Sequence, residues 1–256
     1  LLTNNLDGLF NKEELYNKSL NVIEFGCGDG KDLYTIINHC YNSLNCNTSV
    51  SVVDLSENFL NIISSTLSNK FNISINTYPL DFEHNFNHIN TRTENSKIKS
   101  CYIMLGNTLG NFNDHTSILK SIFDEMKEKD NLILGVHLYN KEFHNSFINY
   151  YSSKENELFD TSLLRFFGLK DSNGEFLVEF DDKNKSFNTY LQCRENFKLD
   201  VFKSPIKFFK EEKILLCKSK KFNSIELEED LRKIGFINIK YFTNKDKTQL
   251  LLKAQK

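Results

Sequence analysis

Apolar and polar positions follow two rhythms along this chain. In the first half, short runs such as Val22-Ile23-Glu24-Phe25 and Cys101-Tyr102-Ile103-Met104-Leu105 alternate with stretches whose apolar residues recur every three or four positions. Runs of the first kind suit buried strands, and stretches of the second suit helices with one packed face. Leu33, Ile36, Ile37 and Cys40 mark the first such helix. Ser51-Val52-Val53-Asp54 predicts a second strand, Ser56 an N-cap, and Phe59, Leu60, Ile63 and Leu67 the stripe of the next helix. Ile73, Ile75 and Thr77 predict a third strand ending at Pro79, and the polar stretch from His84 to Ser100 a loop or weak helix. A helix carrying Ile118, Leu119, Ile122, Phe123 and Met126 leads to a further strand at Leu132-Ile133-Leu134-Gly135-Val136. Strands alternating with helices in this way predict an α/β fold around a parallel sheet.

The rhythm changes over residues 140–219. Helical residues around Phe147 to Leu164 give way to alternating segments at Leu177–Phe180 and Phe187–Leu191, separated by the turn-like Asp181-Asp182-Lys183-Asn184-Lys185. This predicts a smaller α+β domain with antiparallel strands, inserted at 140–219 into a main domain formed by 1–139 and 220–256. Ser224 is expected to cap a last helix bearing Leu227, Leu231 and Ile234, with Gly235 as its stop. Ile237–Tyr241 and Gln249–Leu252 then close as a C-terminal antiparallel hairpin.

Composition narrows the partners. A net charge of -2 and a pI near 6.4 give no field that would gather nucleic acid or an anionic membrane. No apolar run is long enough to span a bilayer, and no signal peptide is evident, so a cytoplasmic protein without a membrane partner is expected; no nucleic-acid partner is expected either, and a monomer is. The six cysteines lack a CxxC pair and read as reduced core thiols.

Candidate chemistry begins at Glu24-Phe25-Gly26-Cys27-Gly28-Asp29-Gly30, a glycine loop between strand and helix. Glycines there allow positive φ and a close approach of backbone to ligand. A pyrophosphate-binding loop would space them GxGxxG, but Lys31 stands where the third glycine belongs and Gly30 precedes it, which points to S-adenosylmethionine instead. Asp54 at the tip of the second strand can accept both ribose hydroxyls, Asp81 after the third can accept from the adenine amino group, and Phe82 can pack on the ring. Glu24, Gly26, Gly28, Gly30, Lys31, Asp54, Leu55, Asp81, Phe82 and Gly106 are the candidate cofactor contacts.

Leu105-Gly106-Asn107-Thr108-Leu109-Gly110-Asn111-Phe112 follows the fourth strand and resembles the LGSTIGNF motif of the histidine Nα-methyltransferase family of the ergothioneine-pathway type. The resemblance runs from Val22 to the C-terminus and includes Lys213-Ile214-Leu215-Leu216-Cys217-Lys218-Ser219. It implies a class I, Rossmann-like methyltransferase with a smaller substrate domain, in which Gly106 and Asn111 face the substrate and Tyr150 or Tyr151 holds a carboxylate. Asn111, Tyr150 and Tyr151 are thus the candidate catalytic residues. Where the family has an acid and a serine contacting the imidazole, this chain has Cys217 and Ser219, and Thr189 replaces a methionine of the side-chain pocket. The expected function is N-methylation of a small amino-acid-like substrate through an altered side-chain pocket, with S-adenosylhomocysteine as product. Another small molecule, a peptide, or a silent cofactor-binding subunit are the alternatives. His84 and His88 lack a third ligand, so no metal is expected, and the basic run from Lys203 to Lys221 reads as solvated strand faces.

Overall fold

A computed structural model describes residues 1–86, 98–201 and 204–256, so His88 and Lys203 lie outside the described residues. The chain divides into two units, one formed by Leu1–Leu138 with Asn223–Lys256 and the other by Tyr139–Phe222.

In the first unit, two one-turn helices, α1 (Leu6–Leu9) and α2 (Lys12–Leu15), precede β1 (Ser19–Phe25), α3 (Lys31–Asn42), β2 (Asn47–Asp54), α4 (Glu57–Ser68), β3 (Ser74–Pro79), β4 (Lys99–Met104), α5 (His115–Glu125) and β5 (Asn131–His137). Val22, Val50, Val52, Ile103 and Ile133 are fully buried, as expected of parallel strands covered by helices. The apolar stripes read from the sequence do most of the covering: Leu33, Ile36, Ile37 and Cys40 of α3 and Leu60, Ile63 and Leu67 of α4 join the same core, whereas Phe59, expected in the α4 stripe, is 39% exposed. Ser56 caps α4 as predicted, its Oγ accepting from Phe59 N at 3.4 Å. Asp130, 2% exposed, ties the lower edge of the sheet, its two carboxylate oxygens each accepting at 2.8 Å, from Ser100 N and Lys127 N.

The second unit holds α6 (His144–Tyr151), α7 (Lys154–Phe166), β6 (Gly174–Asp181), β7 (Ser186–Cys193), β8 (Phe197–Val201), β9 (Ser204–Phe208) and β10 (Lys213–Lys220). An antiparallel sheet of order β10-β7-β6 and the hairpin of β8 with β9 make up its strands. The helical stretch expected around Phe147 to Leu164 is two helices, because Ser153 caps the second by accepting from Asn156 N at 3.3 Å. Sequence patterning misses the hairpin, which is held by Phe197 stacked on Phe208 at 4.7 Å. The ends of this unit meet, Tyr139 N donating to Phe222 O at 3.0 Å.

Back in the first unit, α8 (Ser224–Ile234), β11 (Ile237–Thr243) and β12 (Gln249–Gln255) complete a seven-stranded sheet of order β11-β12-β5-β4-β1-β2-β3. β1 to β5 run parallel, and β12 and β11 add the predicted antiparallel finish. The cap of α8 is Asn223 rather than Ser224: its Oδ1 accepts from Ile225 N at 2.9 Å, which makes Ser224 the first helical residue. All six cysteines are free thiols, five of them buried. Among the described residues no helix is long and apolar enough to cross a membrane.

Removing the Asp130 carboxylate strands two backbone N–H groups, one buried and one partly so. Asp130→Ala is therefore expected to destabilise the fold by about 2–4 kcal/mol, read as a lowered denaturation midpoint.

Candidate functional site

Strand order reverses between β1 and β4, and the crevice outside the carboxyl ends of strands at such a reversal is where open α/β sheets bind ligands. The glycine loop leaves β1 at that point. Gly26, Gly28 and Gly30 all have positive φ, of 72°, 50° and 74°. Their surroundings differ. A Cβ on Gly26 would meet Thr108 Cγ2 at 2.7 Å and one on Gly30 would strike Ile63, whereas beside Gly28 nothing lies within 4 Å. Gly106, after β4, also has positive φ and open space beside it.

Glu24 sits in the middle of the sheet, 2% exposed, between Val52 and Ile103 of the neighbouring strands. Its Oε2 has no hydrogen-bond partner. Burial first, and then the charges of Asp32 and Asp54, hold its carboxyl well above the usual range. Asp54, at the end of β2, accepts from Ser56 N at 2.8 Å through Oδ1 and from Cys27 Sγ at 3.5 Å through Oδ2. Leu55 beside it is 74% exposed, unusual for a large apolar side chain. Asp81 opens the turn after β3, accepting from Glu83 N at 3.1 Å. Phe82 is buried, packed edge-on against Phe25 and Phe112 at ring distances of 5.4 and 5.5 Å. The Lys31 side chain is exposed and pairs with Asp29. Asp81, Glu83 and His84 bring ligand atoms within 4.8 Å of one another, but nothing else at that position indicates a metal.

The loop after β4 contains a structural residue that the sequence does not single out. Asn107 is buried with φ of 66°, and its Oδ1 accepts from His137 N at 2.8 Å, fixing the loop to the end of β5. A Gly-Asn pair between strand and turn is the signal that could have revealed it. Asn111, by contrast, is exposed. A cleft of about 290 Å³ in this unit is lined by Asp32, Gly106, Asn107 and His137, together with residues at the start of the chain and of β12.

In the second unit, Tyr151, Thr189, Cys217 and Ser219 come together. Thr189 and Cys217 face one another across β7 and β10, as do Phe187 and Ser219. Tyr151 Oη donates to Ser219 Oγ at 2.7 Å, and its hydroxyl is pushed up to about 12 by burial. Tyr150 does not join them: it is 61% exposed. Two further residues do. Lys221, 1% exposed, donates to Tyr151 Oη at 2.9 Å and to Ser219 Oγ at 2.7 Å, and burial lowers its ammonium to about 7. Asp160 of α7 accepts from Thr189 Oγ1 at 2.7 Å, so a carboxylate stands beside Cys217 although position 217 has none. Lys221 shares the strand parity of Cys217 and Ser219, which is its signal in the sequence. Asp160 has no local signal, because its partner is 29 residues away.

Over residues 2–256 the sequence matches the family described as histidine-specific methyltransferase, SAM-dependent. No protein of curated function matches it in sequence. Solved structures are similar in fold. An S-adenosylmethionine-dependent methyltransferase from Clostridium acetobutylicum ATCC 824 aligns with 99% of this chain and 90% of its own, at 11% identity and a TM-score of 0.50. The Burkholderia thailandensis 1,6-didemethyltoxoflavin-N1-methyltransferase, solved with 1,6-didemethyltoxoflavin and S-adenosylhomocysteine, aligns over 100% and 78%, at 10% identity and 0.52. The CurJ carbon methyltransferase aligns over 93% and 48%, at 12% identity and 0.54, so this chain spans about half of that one. At such identities the likeness concerns the Rossmann-like fold alone.

A carboxyl whose pKa is higher folded than unfolded stabilises the fold fully below its unfolded pKa, and that stability is lost as pH rises toward the folded value. Glu24→Gln removes this loss. The variant is expected to melt above the wild type at about pH 8 and level with it near pH 4, in thermal denaturation of the ligand-free protein. A lower melting temperature at pH 8 would show that the buried acid has a stabilising partner.

Proposed function

The chain belongs to the histidine-specific, S-adenosylmethionine-dependent methyltransferase family, and we propose that it methylates the amino group of a small amino-acid-like substrate whose side chain the inserted unit receives. It is an enzyme that uses S-adenosylmethionine, which supplies a methyl group already activated on a sulfonium. The observation that carries the proposal is the polar set on one face of the β10-β7-β6 sheet, where Tyr151, Thr189, Cys217 and Ser219 cluster.

The residues at the strand reversal fit the cofactor. Glu24 offers a buried oxygen without a partner, which suits the ammonium of the methionine portion, and open Gly28 and Gly106 leave room for its backbone-hugging atoms. Asp54 is assigned the ribose hydroxyls, since each carboxylate oxygen keeps a lone pair beyond the contacts to Ser56 and Cys27. Exposed Leu55 would cover the sugar and adenine, and Asp81 would accept from the adenine amino group. Phe82 and Lys31 act at one remove, Phe82 by packing under the loop and Lys31 by holding Asp29. Gly26 and Gly30 shape the turn.

For transfer from a sulfonium the protein's main task is alignment, worth about 7–11 kcal/mol. The amine must shed its proton before attack, which a partly dry site favours by lowering its pKa. Asn111 is assigned to the amino or carboxylate group of the substrate and Tyr151, not Tyr150, to the carboxylate.

Calorimetry with S-adenosylhomocysteine should show saturable binding to the wild type and at least about tenfold weaker binding to Asp54→Ala, the loss expected of hydrogen bonds to a charged group. Gly28→Ala should lose affinity similarly, and because an L side chain at φ of 50° costs about 1–2 kcal/mol it should also melt somewhat lower while nothing in the fold meets its Cβ. Free amino acids would then be incubated with enzyme and S-adenosylmethionine and read by mass spectrometry. A single amino acid gaining methyl mass supports the proposal. Methylation of none, with cofactor binding intact, would sink it.

A further inference from the structure

Alignment of donor and acceptor leaves one group in the cleft of the main unit without a task. Among the described residues that line this cleft, only Asp32 and His137 have ionisable side chains. His137 is the last residue of β5, at the carboxyl end of the sheet, and is half-buried. Its backbone is held from both sides. Asn107 N donates to Gly135 O at 3.1 Å, and Asn107 Oδ1 accepts from His137 N at 2.8 Å. Opposite, His137 pairs with Gln249 of β12, and Leu138 N donates to Thr248 O at 2.8 Å. The imidazole is thus mounted on fixed backbone, as a group that must meet a reacting atom requires.

The cleft adjoins the residues that fit the cofactor. Gly106 has φ of 68° and nothing within 4 Å of its Cβ position, so the space beside it is open. The charge of Asp32 reaches Glu24, whose unpartnered oxygen is assigned to the methionine ammonium. The volume of about 290 Å³ equals that of roughly ten waters, room for the amino end of a substrate. An aliphatic amine is an ammonium at neutral pH, and its electron pair is blocked until a proton leaves. Imidazole changes charge between about pH 6 and 7, so at neutral pH it can take up that proton and then release it. Asp32, whose carboxyl is raised by burial and by the charge of Asp29, adds negative charge that favours an incoming cation.

We propose that His137 is the general base of the transfer: an imidazole nitrogen takes one proton from the substrate's ammonium. The freed electron pair on the substrate nitrogen then forms the new bond to the methyl carbon, as the carbon–sulfur bond breaks and leaves its pair on sulfur. The methylated ammonium and S-adenosylhomocysteine result, and His137 passes its proton to water. This rests on the reading of the chain as an amine methyltransferase and supplies the proton acceptor that the reading leaves open.

The twenty common amino acids are first screened for methylation, and kcat is then followed between about pH 5 and 9 on the one that reacts. Wild-type kcat should fall below about pH 6.5, where an imidazole gains its charge. His137→Gln should lose about a hundredfold or more in kcat at neutral pH and shift that fall upward, with affinity for S-adenosylhomocysteine changed by less than about twofold. Imidazole in the buffer should restore part of the rate of His137→Ala, and Asp32→Asn should keep the wild-type fall. A readout without turnover is the NMR titration of the His137 ring in the S-adenosylhomocysteine complex, whose midpoint should drop when the amino acid brings its ammonium alongside. A His137→Gln variant with wild-type kcat and pH profile, a fall that vanishes in Asp32→Asn instead, or an unmoved midpoint would overturn the role of His137 alone. A wild type that binds S-adenosylhomocysteine but methylates no amino acid would overturn the proposed function, and the base with it.

Discussion

The close approach of Thr108 to Gly26 governs the carboxyl edge of the main sheet. The space that a Cβ on Gly26 would need is filled by the Thr108 side chain, whose hydroxyl donates to Leu105 O at 2.8 Å. Asn107, one residue earlier, is locked to His137. The loops leaving β1, β4 and β5 thus interlock as one rigid edge, with its empty space beside Gly28 and Gly106. Glycine at 26 follows from packing and φ together, and the freedom at 28 from φ with open space.

Against that rigid edge, Glu24 is a deliberate weakness. An acid in the middle of a parallel sheet, without a partner for one oxygen, lowers the stability of the protein alone, and in the proposed site the cofactor's ammonium would relieve it. The same logic recurs in the inserted unit, where Asp160 lacks a cation and Lys221 is buried among tyrosine and serine hydroxyls. Both units bury polar groups where regular packing would have favoured apolar ones.

Periodicity made most of the fold legible. Five parallel strands, their helices and the closing hairpin follow from apolar runs and stripes, since burial on both faces of a sheet leaves a continuous trace in the sequence. Features governed by single side chains did not show: the break at Ser153, the shift of the α8 cap to Asn223, and the β8-β9 hairpin, whose apolar contact is one aromatic pair. The glycine loop and its acids were readable because spacing and strand ends coincide. Choosing Tyr151 over Tyr150 needed the exposure of each, and Asp160 needed the fold itself, because helix α7 and strand β7 are brought together only by tertiary packing.

The hydrogen bond from Tyr139 to Phe222 closes the second unit at its own entrance, so chain enters and leaves it at adjacent points. A segment tethered this way is a cassette. Its interior can be rewritten by substitution, insertion or replacement without altering the path of the strands that carry the glycine loop. On the assignment proposed for the two units, substrate preference can therefore diversify within a lineage while donor recognition is inherited unchanged.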